Sequence, residues 1–130
     1  MQVAKQHPRD NASRLAGALY AKILNRKADQ EGYDYVLRSL HEGRKSVREH
    51  ALDMIDSEEF ARRFLHRNDP QQAARLLNRI LRGRALDDRS LALEAARCMI
   101  MGRRAYAERL TETADYRRSC GDDQTPDYGH

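Results

Sequence analysis

Apolar positions along the chain recur every three or four residues. Within residues 12–26, ASRLAGALYAKILNR, one row holds Leu15, Leu19 and Ile23 and the row beside it Ala16, Tyr20 and Leu24, the stripe of an amphipathic helix. Asn11 or Ser13 stands where a cap is needed. Asp29 opens a second helix, QEGYDYVLRSLHE, with Tyr33, Val36, Leu37 and Leu40 inward and Gly43 as its stop. Ser46 and Glu49 match a capping box ahead of the apolar ALDMI, and DSEEFARRF (56–64) supplies a short fourth helix. A second set begins at Asp69 and Pro70, a capping acid with proline in the first helical position. Ala73, Leu76, Leu77, Ile80 and Leu81 form its stripe up to Gly83. Asp87 or Asp88 opens SLALEAARCMIM, which runs to Gly102, and RRAYAERL with ETADYRRSC (112–120) closes the chain's helices.

The two sets repeat one phrase. Ser57 and Thr113 each stand three residues before an aromatic, Phe60 or Tyr116, with an acid just before the ring and an arginine two residues after it. A hydroxyl there accepts a bond from a first-turn backbone N–H, the acid suits the positive helix end, and the ring turns inward. LYAKILNRKAD (19–29) and LLNRILRGRALD (76–87) also align with one inserted residue, and EGRKS aligns with MGRRA. The expected fold is therefore all-α, a single compact bundle of seven or eight short helices built as a duplicated four-helix unit. Residues 1–11 are read as a flexible arm, 12–121 as the helical domain and 122–130 as a tail.

Composition agrees with helices. The chain of 130 residues is 40% hydrophobic and 34% charged, with no tryptophan and only four valines or isoleucines before residue 50. No run approaches the twenty apolar residues of a membrane span, and the N-terminus lacks the apolar centre of a signal peptide, so a cytoplasmic protein is expected. Cys98 and Cys120 are read as reduced thiols. The net charge of +4 is unevenly spread: residues 1–61 carry ten basic and ten acidic groups, 62–109 twelve and five, and 110–130 two and five. Twenty of the 24 basic residues are arginine, which grips carboxylates through a planar fork.

GRKSVREHALDMIDSEEFARRF, from Gly43 through Ser46, Val47 and Arg48 to Ser57 and Phe60, then LLNRILRGR with Gly83 and Arg84, then ADYRRSCGDDQTPDYG with Tyr116, Gly121, Asp122, Asp123, Pro126 and Tyr128, together resemble the phycobilisome linker polypeptide domain. The likeness covers roughly residues 15–129, and its closing motif departs from the family at Cys120, Thr125 and Asp127. It implies an all-helical, non-catalytic scaffold without a cofactor, docked on acidic phycocyanin or allophycocyanin rings on the cytoplasmic face of the thylakoid membrane. A basic middle segment would be steered onto such rings by charge complementarity.

Candidate contact residues follow from exposure and charge. The pairs Arg62/Arg63, Arg103/Arg104 and Arg117/Arg118 are assigned to partner binding, against the plain alternative of solvated helix surface. Tyr128, in a polar tail, is assigned to contact, whereas Tyr116 is assigned to the core. Catalysis is not expected: His7, His41, His50, His66 and His130 are scattered, and the acid pairs Asp87/Asp88 and Asp122/Asp123 read as caps or turns rather than metal ligands. Two rival readings stand beside the linker: a scaffold for another assembly, which includes self-association, and an arginine-rich nucleic-acid binder, whose sequence pI of about 9.3 is its footprint.

Overall fold

The repeated capping residues do what their spacing calls for, and they divide the chain into eight helices. The computed structural model describes residues 4–66, 69–119 and 121–125. Over these run α1 (Arg9–Ile23), α2 (Gln30–Glu42), α3 (Val47–Ile55), α4 (Glu58–Phe64), α5 (Pro70–Arg82), α6 (Asp88–Met101), α7 (Arg103–Thr111) and α8 (Ala114–Ser119), with no strand among the described residues. None of these helices is long and apolar enough to cross a membrane.

Each boundary has a local cause. Asp29 accepts from Gly32 N at 3.3 Å and Asp87 from Ser90 N at 2.7 Å, so α2 and α6 start alike. Ser46 and Glu49 form the complete reciprocal box at α3. Asp69 caps α5 ahead of Pro70. Ser57 Oγ accepts from Phe60 N and donates to Met54 O, while Thr113 Oγ1 accepts from Tyr116 N and donates to Leu110 O. The repeated phrase is thus the same turn built twice. α1 departs from expectation: it starts at Arg9 after Pro8 with no side-chain cap, because Asn11 instead meets the His7 ring and the Ser13 hydroxyl meets that of Tyr33.

The two sets of helices pack by the same plan. α1 lies on α2 and α3 as α5 lies on α6 and α7, and α4 follows α3 as α8 follows α7. α3 and α7, nine residues each, then meet across the middle. One core runs through both halves, from Leu15, Leu19, Ile23 and Phe60 to Leu77, Ile80, Leu81, Tyr106 and Tyr116. Phe60 and Tyr116 are both fully buried, each closing its half.

Residues 4–8 are part of this body rather than a free arm. Ala4 N donates to Gly43 O and His7 N to Leu40 O, both at 3.1 Å, and the His7 ring is buried. Gly43 makes the strap possible twice over. Its φ of 71° is a left-handed helix end, and a Cβ there would stand 2.6 Å from Ala4 O. Gly17, inside α1, has nothing within 4 Å of the equivalent point. Gly43→Ala is therefore expected to lower unfolding stability by about 1–2 kcal/mol and Gly17→Ala to raise it by about 0.5–1 kcal/mol. Urea titrations of the two variants check this, and equal effects would contradict the strap.

Candidate functional site

The residues singled out in the sequence fall into two groups in space. The first is the seam between α3 and α7. If the two nine-residue helices are laid on each other, Arg48 falls on Arg104 and Asp56 on Glu112. The contacts cross reciprocally: Arg48 reaches Glu112 at 3.7 Å and Arg104 reaches Asp56 at 3.6 Å. Arg104 also pairs with Asp53 at 2.9 Å, and Arg103 donates to the carbonyls of Asp56 and Ser57 at the end of α3. Burial pushes the Asp53 carboxyl up, but hydrogen bonds from Lys45 and Arg104 outweigh it and hold the group below the usual range.

The closing motif docks on the same seam. Arg48 N donates to Asp122 O at 3.1 Å, its guanidinium lies 3.5 Å from the Asp122 carboxylate, and Asp123 lies 3.6 Å from His7 Nε2. Gly121 has φ 64° and donates to Tyr116 O, which turns the chain off α8 towards α3. The tail boundary expected at 122 is therefore crossed by contacts to the domain. A surface cleft of about 590 Å³, lined in part by Lys5, Ser46, Arg48, Arg104 and Asp122, opens above. Arg48 thus meets Asp122 and His7 meets Asp123, and together these contacts form a brace. Arg103 and Arg104, assigned from sequence to a partner, are occupied within the chain. Pro126 and Tyr128 lie outside the described residues, as does Cys120.

The second group is an arginine cluster along α5 and α8. Arg82 and Arg84 bind Asp115 at 3.0 and 2.8 Å and Arg118 binds it at 3.1 Å. The Asp115 carboxyl is held below the usual range by Arg84 first and Arg82 next. Arg75 and Arg79 continue the same row of α5 towards its start, at the i, i+4, i+7 spacing that ends on Arg82. Both are exposed, and neither has an ion pair among the described residues. Three arginines therefore share one carboxylate on this side, and two more stand along the same helix row. The matching corner of the first half is balanced: Glu59 takes Arg26 at 2.6 Å and Arg63 at 3.3 Å, and Arg26 also meets Asp29.

The other assigned positions separate in the same way. Arg62 and Arg117 are exposed and without an ion pair among the described residues, whereas Arg63 donates to Leu24 O as well as Glu59. Gly83 is the left-handed end of α5, which swings Arg84 back onto Asp115. The sequence reading missed Arg75, Arg79 and Arg82. Their signal was the arginine spacing within QQAARLLNRILR, overshadowed by the apolar stripe on the opposite face. Asp87 is a cap, Cys98 is a buried thiol, and no three His, Cys, Asp or Glu side chains converge among the described residues.

Residues 10–64 match the family model described as a domain of unknown function (DUF4214). The match spans α1 to α4, the first of the two units, and stops where that unit stops. No curated protein matches the chain.

One titration bears on how α3 sits against α2. His50, buried on α3, lies 2.8 Å from Ser39 Oγ, and burial, then the charge of Lys45, pushes its pKa from 6.5 down to about 4. The folded state keeps the ring neutral while the unfolded chain takes up a proton first, so this contribution is intact above about pH 6.5. It is lost as pH falls towards 4, up to about 3 kcal/mol in all. Asp53 and Glu59, both depressed, add a further decline that begins in the ordinary carboxylate range, at the acid end of that window, and deepens below it. Urea melts between pH 7.5 and 4.5 are expected to show the first loss in the native chain and little of it in His50→Gln.

Proposed function

We propose that this protein is a non-catalytic scaffold module that docks on an acidic protein assembly through the arginine cluster of α5 and α8. The observation that supports this reading is the excess of cation there: Arg75 and Arg79 stand exposed beside three arginines that share Asp115. A planar guanidinium with no internal carboxylate keeps its fork available for one on a partner, and its weak hydration makes contact cheap. Arg117 extends the exposed set on α8. The likeness of the closing motif to the phycobilisome linker domain makes phycocyanin and allophycocyanin rings the first assembly to try. The same surface suits another acidic assembly.

The test is co-sedimentation with those rings at moderate salt, comparing the native chain with Arg75→Glu plus Arg79→Glu. Both positions are exposed and without an ion pair among the described residues, so the variant is expected to keep its fold. A loss of affinity of about tenfold or more is expected from two reversed charges at a contact. Ring binding that the double variant leaves unchanged would sink the assignment of this face. Tighter binding to double-stranded DNA than to the rings, falling steeply with salt, would favour the nucleic-acid reading instead.

A further inference from the structure

The duplication supplies an internal comparison that isolates one surface. α2 and α6 occupy equivalent places, each opened by an aspartate cap and packed along the first helix of its half. Counted from those caps, Tyr35 corresponds to Leu93, Arg38 to Ala96, His41 to Met99 and Glu42 to Ile100. The inward positions keep their character: Leu40 and Cys98 are both buried. The outward positions do not. Where α2 presents arginine, histidine and glutamate, α6 presents alanine, methionine and isoleucine.

The result is a helix whose solvent side is apolar from Ala92 to Met101, with the exposed Arg89 on the same side one turn nearer its start. Leu93 is 53% exposed, Met99 69% and Ile100 81%, and Ala92 and Ala96 lie exposed between them. At 100° per residue these five fall within one stripe, with Ile100 and Leu93 pointing directly away from the core side defined by Leu91, Ala95 and Cys98. Together with Met101 they expose about 500 Å² of apolar surface, at the upper end of what a monomer carries as its largest patch.

We infer that this face of α6 is where a second copy of the chain binds, with the two α6 helices antiparallel about a two-fold axis near Ala96. The stripe is complementary to itself in that arrangement and not in a parallel one. Reversing the helix about Ala96 sets Ile100 of one copy over Ala92 of the other and Met99 beside Leu93, so each large side chain meets a small or flexible one. Ala96 lies on Ala96 at the axis, where small residues let the helices approach closely. Antiparallel packing also sets the N-terminal end of each α6 against the C-terminal end of its mate, the favourable alignment of helix dipoles. Two such faces offer each other about 1,000 Å² in total, the threshold of a specific interface. The arginine cluster plays no part in this contact, so the inference stands apart from the acidic-assembly reading.

Sedimentation velocity of the whole chain between about 5 and 500 µM, a range bracketing interfaces of this size, is the experiment. The native chain is expected to pass from monomer to dimer. Ile100→Glu and, separately, Ala96→Glu are expected to weaken the dimer by about 100-fold, since the first buries a charge against the mate's Ala92 and the second at the axis. Circular dichroism of both variants should stay unchanged, because both side chains are solvent-facing in the monomer. A native chain that stays monomeric throughout overturns the inference, including the case in which it floats with phosphatidylcholine vesicles and so uses the face for lipid. A dimer that survives both substitutions overturns it as well.

Discussion

The crossing of α3 and α7 is the constraint on which the rest of the molecule depends. Each half alone presents a four-helix layer with one apolar side, too small to bury its own core. Joining them face to face puts Val47, Ala51, Ile55, Tyr106, Ala107 and Leu110 out of water and makes one core from two. The reciprocal ion pairs of Arg48 with Glu112 and Arg104 with Asp56 hold this crossing in register. Their groups are partly exposed, so they contribute modestly to stability. Their greater effect is to specify one sliding position and one angle among the many that an apolar seam alone would accept.

That seam also explains why the closing motif carries recognisable residues. Gly121 turns the chain, and Asp122 and Asp123 then fasten it over the start of α3. Residues 4–8 arrive at the neighbouring end of α2, so the described ends of the chain both pin the first half against the second. Family-like residues can therefore be conspicuous for structural reasons, and docking surfaces must be sought elsewhere, where charge or apolar area is left without an internal partner.

Much of the fold was legible because its signals are local. α2, α5 and α6 start at an acid and end at a glycine that the sequence marks, α3, α4 and α8 start at the hydroxyl residue it marks, and the inward rows follow from the 3.6-residue period. α1 was misplaced at its start because Pro8 opens it without the side-chain cap that Asn11 and Ser13 seemed to offer. The candidate site was harder to read. Arg103 and Arg104 form an obvious doublet, but whether an arginine is spent internally depends on Asp53 and Asp56, about fifty positions away in sequence. Arg75 and Arg79 form no doublet, yet a helix stacks them. Likewise SLALEAARCMIM reads as one apolar helix, and only packing tells which side Leu91 and Cys98 use and leaves Leu93 and Ile100 outside.

The duplication also changed one joint. In the first half Gly43, Arg44, Lys45 and Ser46 separate the end of α2 from α3; in the second, Gly102 alone ends α6 and begins α7, with φ 87° and ψ 157°, a conformation open essentially to glycine. The first joint thus has four residues and the second a single glycine, so α6 runs into the central crossing right beside Arg103 and Arg104, whereas α2 reaches α3 through a longer link.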